Sequence, residues 1–274
     1  MLKDITFGQY FESKSFVHKL DPRTKLLLLL IIIILIFISK NWLSLLLVAL
    51  LIFSSMIFSK IPIKMYLKNL KAVLPILIFT MIINLFYAGS TTATPKWSQN
   101  LFWNLTITDI SLSRAVFMAS RILLLIIVSA ELTYTTTPND LTDAIENLLS
   151  PLRFIGLKNA VHTLAMMMTI ALRFIPTLIE ETQKIMNAQK ARGADLENGK
   201  LIERIKALIP ILIPLLISSV RRAYELAEAM ECRCYNGGEG RIRMKQLKYN
   251  FDDFFTFLIV FIVGATIIAI NIIL

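Results

Sequence analysis

The sequence predicts an all-α, polytopic membrane protein with about five transmembrane helices and a helical module on the cytoplasmic, interfacial side. Three observations carry this. Of 274 residues, 56% are hydrophobic and 18% charged, where soluble domains are about a quarter charged; mean hydropathy is +0.67. Five apolar runs punctuate the chain. Lysine and arginine alternate between dense and sparse across those runs, as the positive-inside rule requires.

The N-terminal stretch, Met1–Lys25, is mixed and polar-leaning and lacks an apolar core followed by a small-residue cleavage site, so it does not read as a cleavable signal. The apolar runs are Leu26–Ser39, Trp42–Phe58, Ala72–Tyr87, Ala115–Thr133 and Phe254–Leu274. The first is short, about 14 residues or roughly 21 Å of helix. Asp21-Pro22 reads as its cap and first helical residue, and Lys25 is expected to snorkel its amine to the interface. The N-terminal arm holds Lys3, Lys14, Lys19, Arg23 and Lys25, and the first loop only Lys40. The second loop holds Lys60, Lys64, Lys68 and Lys71, and the third, Ala88–Arg114, holds Lys96 and Arg114. The segment before the last span holds sixteen. This alternation puts the N-terminus inside and the C-terminus outside. Trp97 and Trp103 suit an external loop lying on the interface. The net charge of +10 is thereby read as cytoplasmic-face lysine and arginine on a lipid bilayer, with no nucleic acid as partner.

Three regions follow: residues 1–134, a transmembrane region of about four spans; 135–250, a basic helical module; and 251–274, a C-terminal transmembrane helix. In the module, Thr137-Pro138-Asn139-Asp140 supplies a cap, a first-turn proline and an acid for a helix ending near Pro151. A second helix runs from about Lys158 to Ala191. Its stripe of Val161, Leu164, Ala165, Met168, Leu172, Ile175, Leu178, Ile179, Ile185 and Met186 is spaced mostly by three or four, and Pro176 should kink it. A third runs from about Leu201 to Cys234 and breaks at Gly237-Gly238 and Gly240. Whether the apolar runs Ala160–Leu172 and Ala207–Val220 enter the membrane stays open: charge parity allows it, while their length of about 13 or 14 residues, the flanking Lys158, His162 and Arg173, and Pro210 and Pro214 argue against it.

Both long helices end in a small-Arg-small tripeptide, Ala191-Arg192-Gly193 and Cys232-Arg233-Cys234. A cation at a helix C-terminus is favoured by the dipole, by about 0.3–1 kcal/mol, and this explains one such arginine. Two matched tips with small flanks also suit docking, because a neighbouring backbone can approach and a guanidinium grips a carboxylate bidentately. The two readings stand side by side. Cys232 and Cys234 with distant His18 and His162 make a poor metal set, and the cysteines read as small, reduced helix-end residues. His18 has no visible proton-relay partner, and Arg173 reads as an interfacial charge. Met166-Met167-Met168 and Met186 suit ordinary packing or a surface that repacks against different partners.

Enzyme chemistry is missing. Gly193–Leu201 resembles a phosphate loop only superficially: five residues separate Gly193 from Gly199-Lys200, and Leu201 stands where a hydroxyl should bind magnesium. If ATP matters, another subunit must bind it.

Three stretches resemble the transmembrane T component of energy-coupling factor transporters, the EcfT family. They are Ser15-Phe16-Val17-His18-Lys19-Leu20-Asp21-Pro22-Arg23-Thr24-Lys25-Leu26, then Ala171-Leu172-Arg173-Phe174-Ile175-Pro176-Thr177-Leu178, and the tripeptide pair. The second tripeptide sits within Ala229-Met230-Glu231-Cys232-Arg233-Cys234-Tyr235, followed by Gly237-Gly238-Glu239-Gly240. The similarity covers essentially the whole chain. It implies a bacterial cell-membrane complex with two ABC ATPase subunits of the EcfA type, a heterodimer, and one or more S components that bind a vitamin or metal. Arg192 would dock on one ATPase and Arg233 on the other, and the basic module would couple them to the S component held on its apolar face. No cofactor is expected on this chain; ATP and Mg belong to the partner ATPases. The second tripeptide departs from the family pattern, reading Cys-Arg-Cys where Ala-Arg-Gly-like triplets are typical.

The alternative is a stand-alone solute permease with its own path. It would need polar groups near the midplane. The first three spans have almost none, and the fourth has Arg121 and Glu131, both toward its ends. An intramembrane enzyme is a poor third.

Overall fold

Helix starts and stops follow the local chemistry throughout. The computed structural model describes residues 10–13, 15–87, 98–102, 105–150, 158–194, 201–237 and 247–273. Trp97, Trp103, Pro151, Gly199, Gly238 and Gly240, which figure in the sequence reading, lie outside them. Two compact units are present, one comprising Gly8–Thr137 and Leu247–Leu274, the other containing Pro138–Gln246.

The first unit is a helical bundle. A short helix, α1 (Phe16–Lys19), leads into α2 (Pro22–Ile38), α3 (Trp42–Ser59) and α4 (Ile63–Tyr87). An antiparallel hairpin, β1 (Ser98–Phe102) and β2 (Leu105–Thr108), precedes α5 (Asp109–Thr135), and α9 (Phe251–Ile273) closes the bundle. At α2, Asp21 accepts a hydrogen bond from the Arg23 amide and Pro22 stands at the first turn, as its sequence predicts. The core joins Leu28, Ile32, Leu35 and Ile36 of α2 to Leu45, Val48 and Ile52 of α3, Val128 of α5, and Val260 and Ile267 of α9. Gly264 permits the close approach of α9 to α2, since a Cβ there would meet Leu35 Cδ2 at 3.3 Å. The outward faces remain apolar: Leu46, Phe53, Phe79 and Phe261 are all exposed, as lipid-facing side chains are.

Helices α3, α4 (over Ile63–Leu85), α5, α9 and a helix of the second unit, α7 (Lys158–Ala191), are long and apolar enough to cross a membrane. The chain is an all-α polytopic membrane protein with a small hairpin. Its span boundaries differ from the sequence reading. Lys64, Lys68 and Lys71, read as loop, lie within α4; their spacing of four and three keeps their stems along one stretch of helix surface. Over α7, the short length that argued against Ala160–Leu172 entering the membrane is no longer an argument, because the run is part of one continuous 34-residue helix. Helix α2, at 17 residues or about 26 Å of rise, sits at the short limit of a span.

Lys25 does not snorkel. It is buried and donates to the Thr135 carbonyl at 2.9 Å and the His18 carbonyl at 3.3 Å. Thr135 ends α5, so the ammonium meets the negative end of a helix dipole. Arg121 does the same for α2 by donating to the carbonyl of its C-cap, Ser39. Asp253, 2% exposed, ties the starts of α2 and α9 together. Its Oδ1 accepts from the Asp21 amide and the Thr24 hydroxyl, and its Oδ2 from the Asn250 amide, each at 2.8 Å.

His18 is also held in place. Its Nδ1 pairs with the Ser15 and Ser13 hydroxyls at 2.6 and 3.1 Å, and its Nε2 donates to the Phe11 carbonyl at 2.8 Å. Burial is the main cause lowering its pKa below 6.5, and the nearby Lys25 charge acts the same way. The unfolded state therefore binds the proton more readily, so this contribution to stability is complete above about pH 6.5 and is lost as pH falls through that value. Thermal midpoints are expected to drop between pH 7.5 and 5.5, and the drop should be smaller in His18→Gln.

Candidate functional site

The second unit contains α6 (Pro138–Leu148), α7 and α8 (Leu201–Glu231). Pro138 opens α6 with Asp140 in its first turn, as the capping pattern predicts. Helix α6 packs on α7, where His162 Nδ1 lies 3.2 Å from Glu146 Oε1. Pro176 lies inside α7, and Pro210 and Pro214 inside α8, without interrupting either helix.

Four contacts set the register of α7 against α8. Gln189 donates to the Pro210 carbonyl, Glu181 engages the Ser218 hydroxyl and Arg222 Nη2 (the latter at 2.6 Å), and Tyr235 donates to Met166 Sδ at 2.8 Å. The paired numbers rise on one helix as they fall on the other, so the pair is an antiparallel hairpin. Its two arginine tripeptides therefore lie at opposite ends. Tyr235, two residues past Arg233, reaches Met166, while Arg192 closes α7. About 25 residues, or roughly 37 Å of helical rise, separate the two guanidinium positions.

Backbone hydrogen bonds make the two tips the same object. At the first, the Ala194 amide donates to the Gln189 carbonyl and the Gly193 amide to Lys190, with Gly193 at φ +86°. At the second, the Tyr235 amide donates to Met230 and the Cys234 amide to Glu231, with Cys234 at φ +54°. Each is a Schellman cap with arginine as the C-cap and a left-handed residue after it. Ala191 and Cys232 fall at equivalent places in the last turn. All six residues, Ala191, Arg192, Gly193, Cys232, Arg233 and Cys234, are exposed, and both cysteines are free thiols. Neither guanidinium has a hydrogen bond or ion pair among the described residues. Each arginine thus stands exposed on a hydrogen-bonded turn, its donor fork unused among the described residues.

The backbone explains the Cys-Arg-Cys departure. A left-handed residue is required after the arginine, and glycine meets that need without strain. A Cβ on Gly193 would meet nothing within 4 Å, so conformation alone, with no crowding, selects glycine there. Cysteine at 234 costs about 1–2 kcal/mol for the same conformation. Cys234→Gly is accordingly expected to stabilise the second tip by about 1 kcal/mol, and Gly193→Ala to destabilise the first by about the same, read as local amide-exchange protection at residues 189–194 and 230–235.

The sequence reading did not find Glu181 with Arg222. A carboxylate at 181 and an arginine at 222 carry no local signal, and only the hairpin register brings them together. Along α8, Ile209, Leu212, Ile213, Leu216, Ile217 and Val220 form an exposed apolar face.

The family model described as CbiQ, cobalt transport protein, matches residues 13–244. Curated relatives named energy-coupling factor transporter transmembrane protein EcfT are similar along nearly the whole chain. That of Ruminiclostridium cellulolyticum is 50% identical over 98% of this chain and 95% of the relative. That of Clostridium kluyveri is 49% identical over 93% and 92%, and that of Lactococcus lactis subsp. cremoris is 40% identical over 98% of each.

Proposed function

The chain belongs to the CbiQ, cobalt transport protein, family and to that of the EcfT transmembrane proteins, and from this premise we propose that it is the coupling subunit of an ATP-driven importer. In this reading two ABC ATPases, as a heterodimer, bind ATP and Mg on the cytoplasmic side. One receives Arg192 and the other Arg233. A separate S component, carrying a vitamin or other micronutrient, lies against the apolar face of α8. The N-terminus is cytoplasmic, as the lysine and arginine distribution favours.

The observation that carries the reading is the pair of equivalent, unoccupied arginine caps held at opposite ends of one hairpin. Equivalence suits two homologous receptors, and a separation of roughly 37 Å suits two subunits better than one. Arginine matches a carboxylate-lined groove through its planar fork. Transmission then requires that the ATPases make different contacts with the hairpin in their two states.

Affinity purification of the tagged chain from native membranes, with mass spectrometry of its companions, tests this. Two different ABC ATPases and at least one small membrane protein are expected. Recovery of the chain alone, repeated in mild detergent, would overturn the reading and direct attention to solute binding by the chain itself.

A further inference from the structure

A cavity of about 420 Å³ opens in the helical bundle at the end where α2 and α9 begin and α3 and α5 finish. Its polar residues gather at that end: Lys25 on α2, Ser54 and Ser55 on α3, Glu131 and Thr135 on α5. Its deeper wall is apolar, with Leu28, Leu29 and Ile32, then Leu51, Val128 and Val260. From Lys25 to Ile32 the depth is about 10 Å of helical rise. This is the layout of a lipid, head at the interface and chain below.

One group in the cavity is unsatisfied. Glu131 is 7% exposed, and its Oε2 accepts from Ser55 at 2.8 Å. Its Oε1 is buried without a hydrogen-bond partner. The Ser54 and Thr135 hydroxyls donate to backbone carbonyls, and the single Ser55 proton is shared between the Ile52 carbonyl and Glu131 Oε2. Lys25 gives two of its three N–H groups to backbone carbonyls. No donor among the described residues makes a hydrogen bond to Oε1, and the vacant acceptor is a carboxylate oxygen. A buried polar atom left unmatched is costly. The strongest complement to a carboxylate is a cationic N–H donor.

We propose that this cavity binds a bilayer lipid bearing a primary ammonium headgroup, with its N–H on Glu131 Oε1 and an acyl chain along Leu28, Ile32, Val128 and Val260. A hydroxyl headgroup offers a weaker, neutral donor, and a quaternary ammonium offers none. The inference is independent of the ATPase-docking reading.

The test is native mass spectrometry of the full chain in detergent, titrated with phosphatidylethanolamine, phosphatidylcholine and phosphatidylglycerol of identical acyl chains. Saturable binding of the ethanolamine lipid, about tenfold tighter than either other lipid, is expected, since a hydrogen bond between charged groups is stronger than one from a neutral donor. In Glu131→Gln that preference should disappear, and Leu28→Trp should abolish binding by filling the apolar wall. Equal retention of all three lipids, preference for either alternative, no retention at all, or a preference unchanged in Glu131→Gln would each overturn the proposal. The comparison of ethanolamine with choline lipid is made on the unaltered chain, so it holds whether or not the variants fold.

Discussion

Arg192→Glu is expected to detach one ABC ATPase from the complex, and Arg233→Glu the other, with uptake reduced more than tenfold in each. Each arginine is exposed, and its guanidinium meets no acid among the described residues, so the native fold loses little beyond the helix-end dipole contribution of about 0.3–1 kcal/mol when it is replaced. The loss falls on the interface. Removing one partner of a buried, hydrogen-bonded charge pair costs about 2–5 kcal/mol or more, and placing a second carboxylate against an acidic groove adds repulsion. Arg192→Lys should fall between, keeping the charge but losing the bidentate fork. Co-purification of the two ATPases with each variant, together with circular dichroism of the isolated chain, separates the outcomes. Full uptake with both ATPases retained in both charge reversals would refute the docking assignment, as would an unfolded chain by showing that the arginines are structural.

The second large effect is at Asp253. Its carboxylate serves the Asp21 amide, the Thr24 hydroxyl and the Asn250 amide. In Asp253→Ala the Asp21 and Asn250 amides lose their acceptor, while the Thr24 hydroxyl keeps the Asp21 carbonyl at 2.6 Å. At about 1–3 kcal/mol for each unmatched group, the variant is expected to be destabilised by at least about 2 kcal/mol. That is a large share of the roughly 5–15 kcal/mol available to a domain. Scanning fluorimetry in detergent should show a lowered midpoint, with Asp253→Asn intermediate because its amide oxygen can still accept. An unchanged midpoint for Asp253→Ala would mean that water replaces the carboxylate.

Much of this architecture could be read from residues in order along the chain. The α2 start announces itself through Asp21-Pro22, and the α7 end through Gly193, because capping chemistry is local. Apolar runs marked α3 and α9 to within a few residues. What escaped depends on register or on a conflict between local signals. Lys64, Lys68 and Lys71 suggested a loop because charge outweighed helical spacing in a segment that continues into a span. Lys25 was expected to reach for water, yet α5 ends where its ammonium can meet a carbonyl. The two tips are matched in sequence by their small-Arg-small pattern, with Cys-Arg-Cys as the departure from the family; the backbone hydrogen bonds add that both are Schellman caps, which no residue pattern states. Glu181 with Arg222, and Glu131 with Ser55, join residues far apart in sequence and have no local signature.

The Glu181–Arg222 ion pair has one more consequence. Glu181 lies 11 residues before Arg192, and Arg222 lies 11 residues before Arg233. The pair is therefore a fulcrum with arms of equal length, about 16 Å each. A 10° swing of either helix about this point carries its arginine through about 3 Å on that arm. Because the helices are antiparallel, their arginines occupy opposite ends of the beam, so a shared rotation raises one as it lowers the other, while a scissoring motion drives both the same way.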